Sequence, residues 1–123
     1  MRPILCGTDL SDASARALAV ACEFAAQRGE ACEVIAVHSI DEDADVQQGR
    51  RLLEAHVRAA NIGARVRAEL VIGPTDTTLA ALALREGADL IVIAASSKGT
   101  DLGPTAARVP ATTTVPVLMV RDP

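Results

Sequence analysis

The chain has 123 residues, half of them hydrophobic, a net charge of −4 and one aromatic side chain, Phe24. That length suits one domain, 1–123, with a real core, and the lack of rings makes the core aliphatic. The mild negative charge and the lack of aromatic side chains on which bases could stack argue against an electrostatic nucleic-acid binder.

"RPILCGTDL" is a short apolar run ending in turn residues and reads as a buried first strand. Ser11 caps the helix that follows, because its hydroxyl can accept an orphan N–H of the first turn. That helix is expected from Asp12 to Arg28, with Leu18, Ala21, Cys22 and Ala25 on one face and Gly29 as its stop. "CEVIAVHSI" is a second strand. A second helix is expected from about Asp43 to Ala60, with Val46, Leu53, Val57 and Ala60 at helical spacing and "NIG" as terminator.

"VRAELVIG" makes a third strand. Pro74 and Thr75 then open a third helix carrying Leu79, Leu82 and Ala83, and Gly87 suits the left-handed residue beyond its end. "DLIVIAA" is a fourth strand, almost wholly apolar as a strand covered on both faces should be. "GPTAARV" allows only a short helix, which Pro110 is expected to end, and "VPVLMV" is the fifth strand. The fold class is therefore α/β: one doubly wound, five-stranded parallel sheet with helices on both faces, Rossmann-like.

Cys6, Cys22 and Cys32 show no CxxC or zinc-ligand spacing. They are expected as small core hydrophobes in a reducing cytoplasm. No apolar stretch reaches the ~20 residues that cross a bilayer, so neither a membrane span nor a membrane partner is expected.

In an open doubly wound sheet of order 3-2-1-4-5, ligands bind beyond the carboxyl ends of the strands, where the order reverses. That point brings together Gly7, Thr8 and Asp9 from one end of the chain with Ala94 and the loop after it from the other. Asp9 could there accept a ribose hydroxyl or hold a magnesium-bound water. It could equally receive backbone N–H groups in a tight strand-to-helix turn.

Catalysis finds little support, since no serine or cysteine comes with a recognisable base. No catalytic residue and no metal site are expected. "SKGT" has lysine before glycine, with no upstream glycine, so it is not a phosphate-binding P-loop. The acidic run Asp41 to Asp45 reads as carboxylates at the positive end of the second helix. His56 is expected half-buried or at the surface.

"ILCGTDLSDASARAL", "GPTDTTLAALALREGADLIVIAAS" and "VPVLMV", in that order, resemble the universal stress protein family over nearly the whole chain. The resemblance implies an adenine nucleotide alpha hydrolase-like fold, and it places Ser39 at the wall of an adenine pocket. Nucleotide-binding members carry a glycine, two residues, a glycine, nine residues, then glycine and a hydroxyl residue. On that pattern Ala94 and Ser97 replace the two leading glycines. Only five residues, Lys98 to Leu102, precede Gly103, and Pro104 takes the hydroxyl position. Ala94 crowds backbone that should approach a ligand, Ser97 tolerates positive φ less well than glycine, and Pro104 lacks an N–H.

This degenerate loop implies no ATP binding in the family's manner and no cofactor. Ser96, Ser97, Lys98, Thr100 and Thr105, with Gly103 in the same loop, still offer donors and charge for a small anion. The first reading is a non-enzymatic stress-response homodimer that binds a protein partner or a small ligand. The alternative is an ATP- and magnesium-binding member with at most slow hydrolysis. An electron-transfer flavoprotein-like domain shares the fold but lacks its signature residues here. The fifth strand, apolar and at the sheet edge, is expected to pair with its copy through Val115, Val117, Leu118, Met119 and Val120.

Overall fold

A computed structural model describes residues 2–29, 31–60, 65–95, 108–110 and 112–121. Strands β1 (Ile4–Gly7), β2 (Glu33–Ile40), β3 (Arg65–Ile72), β4 (Leu90–Ala94) and β5 (Val117–Val120) form one sheet. Helices α1 (Asp12–Arg28), α2 (Val46–Ala60) and α3 (Thr75–Glu86) connect the first four strands. The order is β3-β2-β1-β4-β5, with every neighbouring pair parallel. The doubly wound sheet read from the sequence is the one found.

The period of two in the strands divides the core into two layers. Ile4, Cys6, Val34, Ala36 and Val92 point to one face, where Leu18, Ala21 and Cys22 of α1 and Leu53 and Val57 of α2 cover them. Leu5, Ile35, Val37, Ile91 and Ile93 point to the other, beneath Leu79, Leu82 and Ala83 of α3. All three cysteines are buried, and none is in a disulfide. Burial, aided by nearby Cys22, pushes the Cys6 thiol far up, so it stays protonated and packs as a small hydrophobe. Phe24 lies outside the core, 40% exposed, so the core is aliphatic.

Helix ends follow their local chemistry. The Ser11 side chain accepts from Ser14 N–H at the start of α1, and Gly87 ends α3 in the left-handed conformation at φ 69°. Two expectations need correction. Helix α2 begins at Val46 rather than near Asp43, because the Asp45 carboxylate accepts the Gln48 N–H at 3.0 Å and so acts as the cap. Val46, the first residue of the helix, is 42% exposed and contributes little to the core.

Residues 108–110 and 112 are helical, so Pro110 lies inside the short helix instead of ending it. Proline's missing N–H and bulky ring act on the turn before it, and beyond it the Thr112 hydroxyl donates to the Arg108 carbonyl at 2.8 Å.

Candidate functional site

Strand β1 pairs with β2 on one side and β4 on the other, so the strand order reverses at its two neighbours. The carboxyl ends of β1, β2 and β4 thus meet around the segment that leaves β1. Gly7 closes β1 under α3: a Cβ added there would stand 2.9 Å from Leu79 Cδ1 and 3.3 Å from Ile93 Cγ2. Absence of a side chain lets α3 settle onto the end of the strand.

After Gly7 the chain turns sharply, and Leu10 adopts φ 68°, a left-handed conformation that β-carbon residues seldom take. Side chains of the turn itself hold it. Leu10 N–H donates to Thr8 Oγ1 at 3.1 Å, and Ser11 N–H donates to Asp9 Oδ1 at 3.0 Å. Asp9 remains exposed while one of its oxygens fixes the turn. Partial burial works against its charge. Hydrogen bonds from the Ser11 side chain and backbone outweigh that effect and hold the carboxyl below the usual carboxylate range.

Thr8, 6% exposed, is the hub of a polar cluster. Its Oγ1 lies 2.8 Å from Ser14 Oγ and 2.8 Å from His56 Nε2, and its carbonyl oxygen lies 2.9 Å from His38 Nδ1. A carbonyl only accepts, so His38 carries its proton on Nδ1. His38 extends β2 on the α1–α2 face. Ser39 points to the opposite face and pairs with Thr78 Oγ1 of α3 at 3.0 Å.

Burial, the largest influence, and nearby His38 lower the His56 pKa from its ordinary 6.5, against the opposing pull of Asp9 and Asp12. The folded state therefore prefers the neutral ring. That contribution to stability is complete above pH 6.5. It is lost as the pH falls below this value toward the folded pKa, because the unfolded chain then binds the proton more readily. His56→Gln should flatten the pH dependence of the urea midpoint just below the ordinary histidine pKa relative to wild type. An unchanged slope would contradict this assignment.

The fold brings Gly7, Thr8, Asp9, Ser39 and Ala94 to one end of the sheet, as the sequence predicts. Ser96, Ser97, Lys98, Thr100, Gly103 and Thr105 lie outside the described residues. Of the expected pairing residues, Val117 to Val120 form the edge strand β5, and Val115 precedes it with its N–H donated to Thr113 Oγ1 at 3.0 Å. Sequence reading missed Ser14 and the reach of His56. Only the 48-residue jump from Thr8 to α2 reveals the latter. Among the described residues, no group of His, Cys, Asp and Glu is placed to hold a metal ion, and no helix is long and apolar enough to cross a membrane.

A parallel doubly wound α/β fold with its polar turn at the reversal of strand order is Rossmann-like. The model of the universal stress protein family matches residues 1–121, and the chain belongs to that family. A universal stress protein from Archaeoglobus fulgidus superposes with a TM-score of 0.80 at 24% identity, covering 97% of this chain and 98% of that one. The same organism's protein in complex with dAMP gives 0.77 at 25% identity, covering 97% of each chain. A universal stress protein in complex with cAMP gives 0.76 at 26%, covering 98% of this chain and 96% of that one. No curated protein sequence matches the chain.

Proposed function

We propose that this universal stress protein is a non-enzymatic, ligand-binding homodimer of the cytoplasm, acting in the stress response. Its crevice takes an adenine nucleoside monophosphate rather than ATP in the family's usual manner. The observation that carries the reading is Asp9: an exposed carboxylate, kept ionised by Ser11, on a side-chain-locked turn at the reversal of strand order. A fixed carboxylate of this kind accepts ribose hydroxyls without first losing its own freedom.

Two relatives hold ligands with a single phosphate, cAMP and dAMP. The loop from Ala94 to Gly103 has lost both leading glycines and is short, which suits one phosphate better than three. Non-enzymatic action is supported by the hydroxyls at the turn. Thr8, which meets His56 Nε2, is buried and donates to Ser14, while Ser11 and Ser14 are engaged with one another or with backbone. Three buried cysteines, none in a disulfide, fit a reducing compartment.

Isothermal titration with AMP and with ATP plus magnesium tests the reading. AMP is expected to bind at micromolar concentration, ATP about tenfold or more weakly, and Asp9→Ala to abolish the AMP heat. Tighter ATP binding, or no heat from AMP, would overturn the monophosphate assignment.

A further inference from the structure

We infer that His56 is a positioning residue for the crevice: from helix α2 it fixes the Thr8 hydroxyl, and through Thr8 the turn that presents Asp9. The inference rests on the proposed function only for its effect on ligand, not for the positioning itself.

Counting protons decides what His56 does. Ser14 Oγ lies 2.9 Å from the Ser11 carbonyl, which only accepts, so the Ser14 proton points there. The 2.8 Å contact between Ser14 Oγ and Thr8 Oγ1 then needs the Thr8 proton. With that proton committed, the 2.8 Å contact between Thr8 Oγ1 and His56 Nε2 closes only if Nε2 carries hydrogen. Thr8 Oγ1 thereby accepts twice, from Leu10 N–H and His56 Nε2–H, and donates once, to Ser14. Ser14 Oγ accepts from Thr8 and from Ser11 Oγ. In this arrangement the Thr8 and Ser14 hydroxyls each both donate and accept.

A histidine beside a threonine hydroxyl suggests a base that activates a nucleophile, and here it is the reverse. His56 donates to Thr8, while His38 donates from the other side to the Thr8 carbonyl. Two rings from α2 and β2 therefore clamp one residue between them. The clamp holds Oγ1 where it captures Leu10 N–H, which supports the left-handed Leu10 and places Asp9 and Ser11. The groups that act electrostatically on His56 are Asp9 and Asp12 of the β1–α1 segment and His38 of β2. Ligand contacts at Asp9 are thus mechanically joined to helix α2.

Two measurements test the inference. Two-bond proton–nitrogen spectra of the wild-type protein near neutral pH should show hydrogen on Nε2 of His56 and on Nδ1 of His38. An Nδ1–H tautomer for His56 would overturn the assignment without any variant having to fold. Amide hydrogen exchange is the second. His56→Leu should speed exchange of Leu10 and Ser11 about tenfold and leave Leu5 and Ile35 unchanged, and His56→Gln, which keeps an N–H donor, should restore protection. Wild-type exchange at Leu10 in His56→Leu would refute the positioning role.

Where wild type binds AMP, His56→Leu should weaken it by about threefold to tenfold with His56→Gln intermediate. Failure of the wild type to bind AMP refutes the proposed function alone, because the tautomer and exchange results decide the role of His56 independently.

Discussion

Leu79→Ala is expected to lower the unfolding free energy by about 3–4 kcal/mol, within the range for a fully buried leucine. Leu79 has no exposed surface and packs with Leu5, Ile35, Val37, Ile91 and Ile93 on the α3 face of the sheet. Its Cδ1 also occupies the space that a side chain at Gly7 would need. That geometry couples the two positions. Gly7→Ala alone should cost about 1–3 kcal/mol, because the new methyl presses on a side chain with no room to yield.

In the Leu79→Ala background the same methyl enters the cavity, so Gly7→Ala should become neutral or stabilising. Chemical denaturation of the two single variants and the double variant forms the cycle. Additive losses would show that the contact is not what keeps Gly7 bare. The glycine beginning the crevice is thus explained by packing from α3, independently of any ligand.

Met119→Pro is expected to convert the proposed dimer into monomers while the domain stays folded. The parity of β5 sets which residues face the edge. Ile91 N–H donates to the Pro116 carbonyl and Ala95 N–H to the Val120 carbonyl, so even-numbered residues of this segment turn their backbone groups to β4. Val117 and Met119 turn theirs to the open edge. Proline at 119 leaves the ladder to β4 intact and removes a donor that only a partner strand could use.

Loss of that bond and the bulk of the ring should weaken self-association at least about tenfold. Sedimentation velocity at micromolar concentration reads the outcome. A variant that stays dimeric would place the interface elsewhere, and a wild type that sediments as a monomer would remove the dimer altogether.

Much of the fold was legible because its signals are local. Gly29 and Gly87, Ser11 as a cap, and apolar runs such as Leu90–Ala94 mark boundaries by chemistry that acts within a few residues. The errors came where several residues could serve alike. Asp41, Asp43 and Asp45 are all plausible caps, and only the bond to Gln48 selects the last. Pro110 looks like a stop, but a proline acts on the turn before it, and Thr112 beyond it is still helical.

The site divides in the same way. Thr8 and Asp9 follow from topology, since strand order dictates where the end of β1 must lie. Leu10 at positive φ and the reach of His56 do not: the first is unusual for a residue with a β-carbon, and the second closes only once α2 has packed.

The parity of β5 also constrains symmetry. Two copies of this strand running antiparallel about a two-fold axis must match outward-facing residues with outward-facing residues. Matching Val117 of one copy with Met119 of the other uses every free backbone group of the strand. The axis then passes beside Leu118, and the two Leu118 residues face each other as a close, non-hydrogen-bonded pair with Cα atoms about 4.5 Å apart. One leucine, whose own backbone is directed to β4, would mark the centre of the assembly.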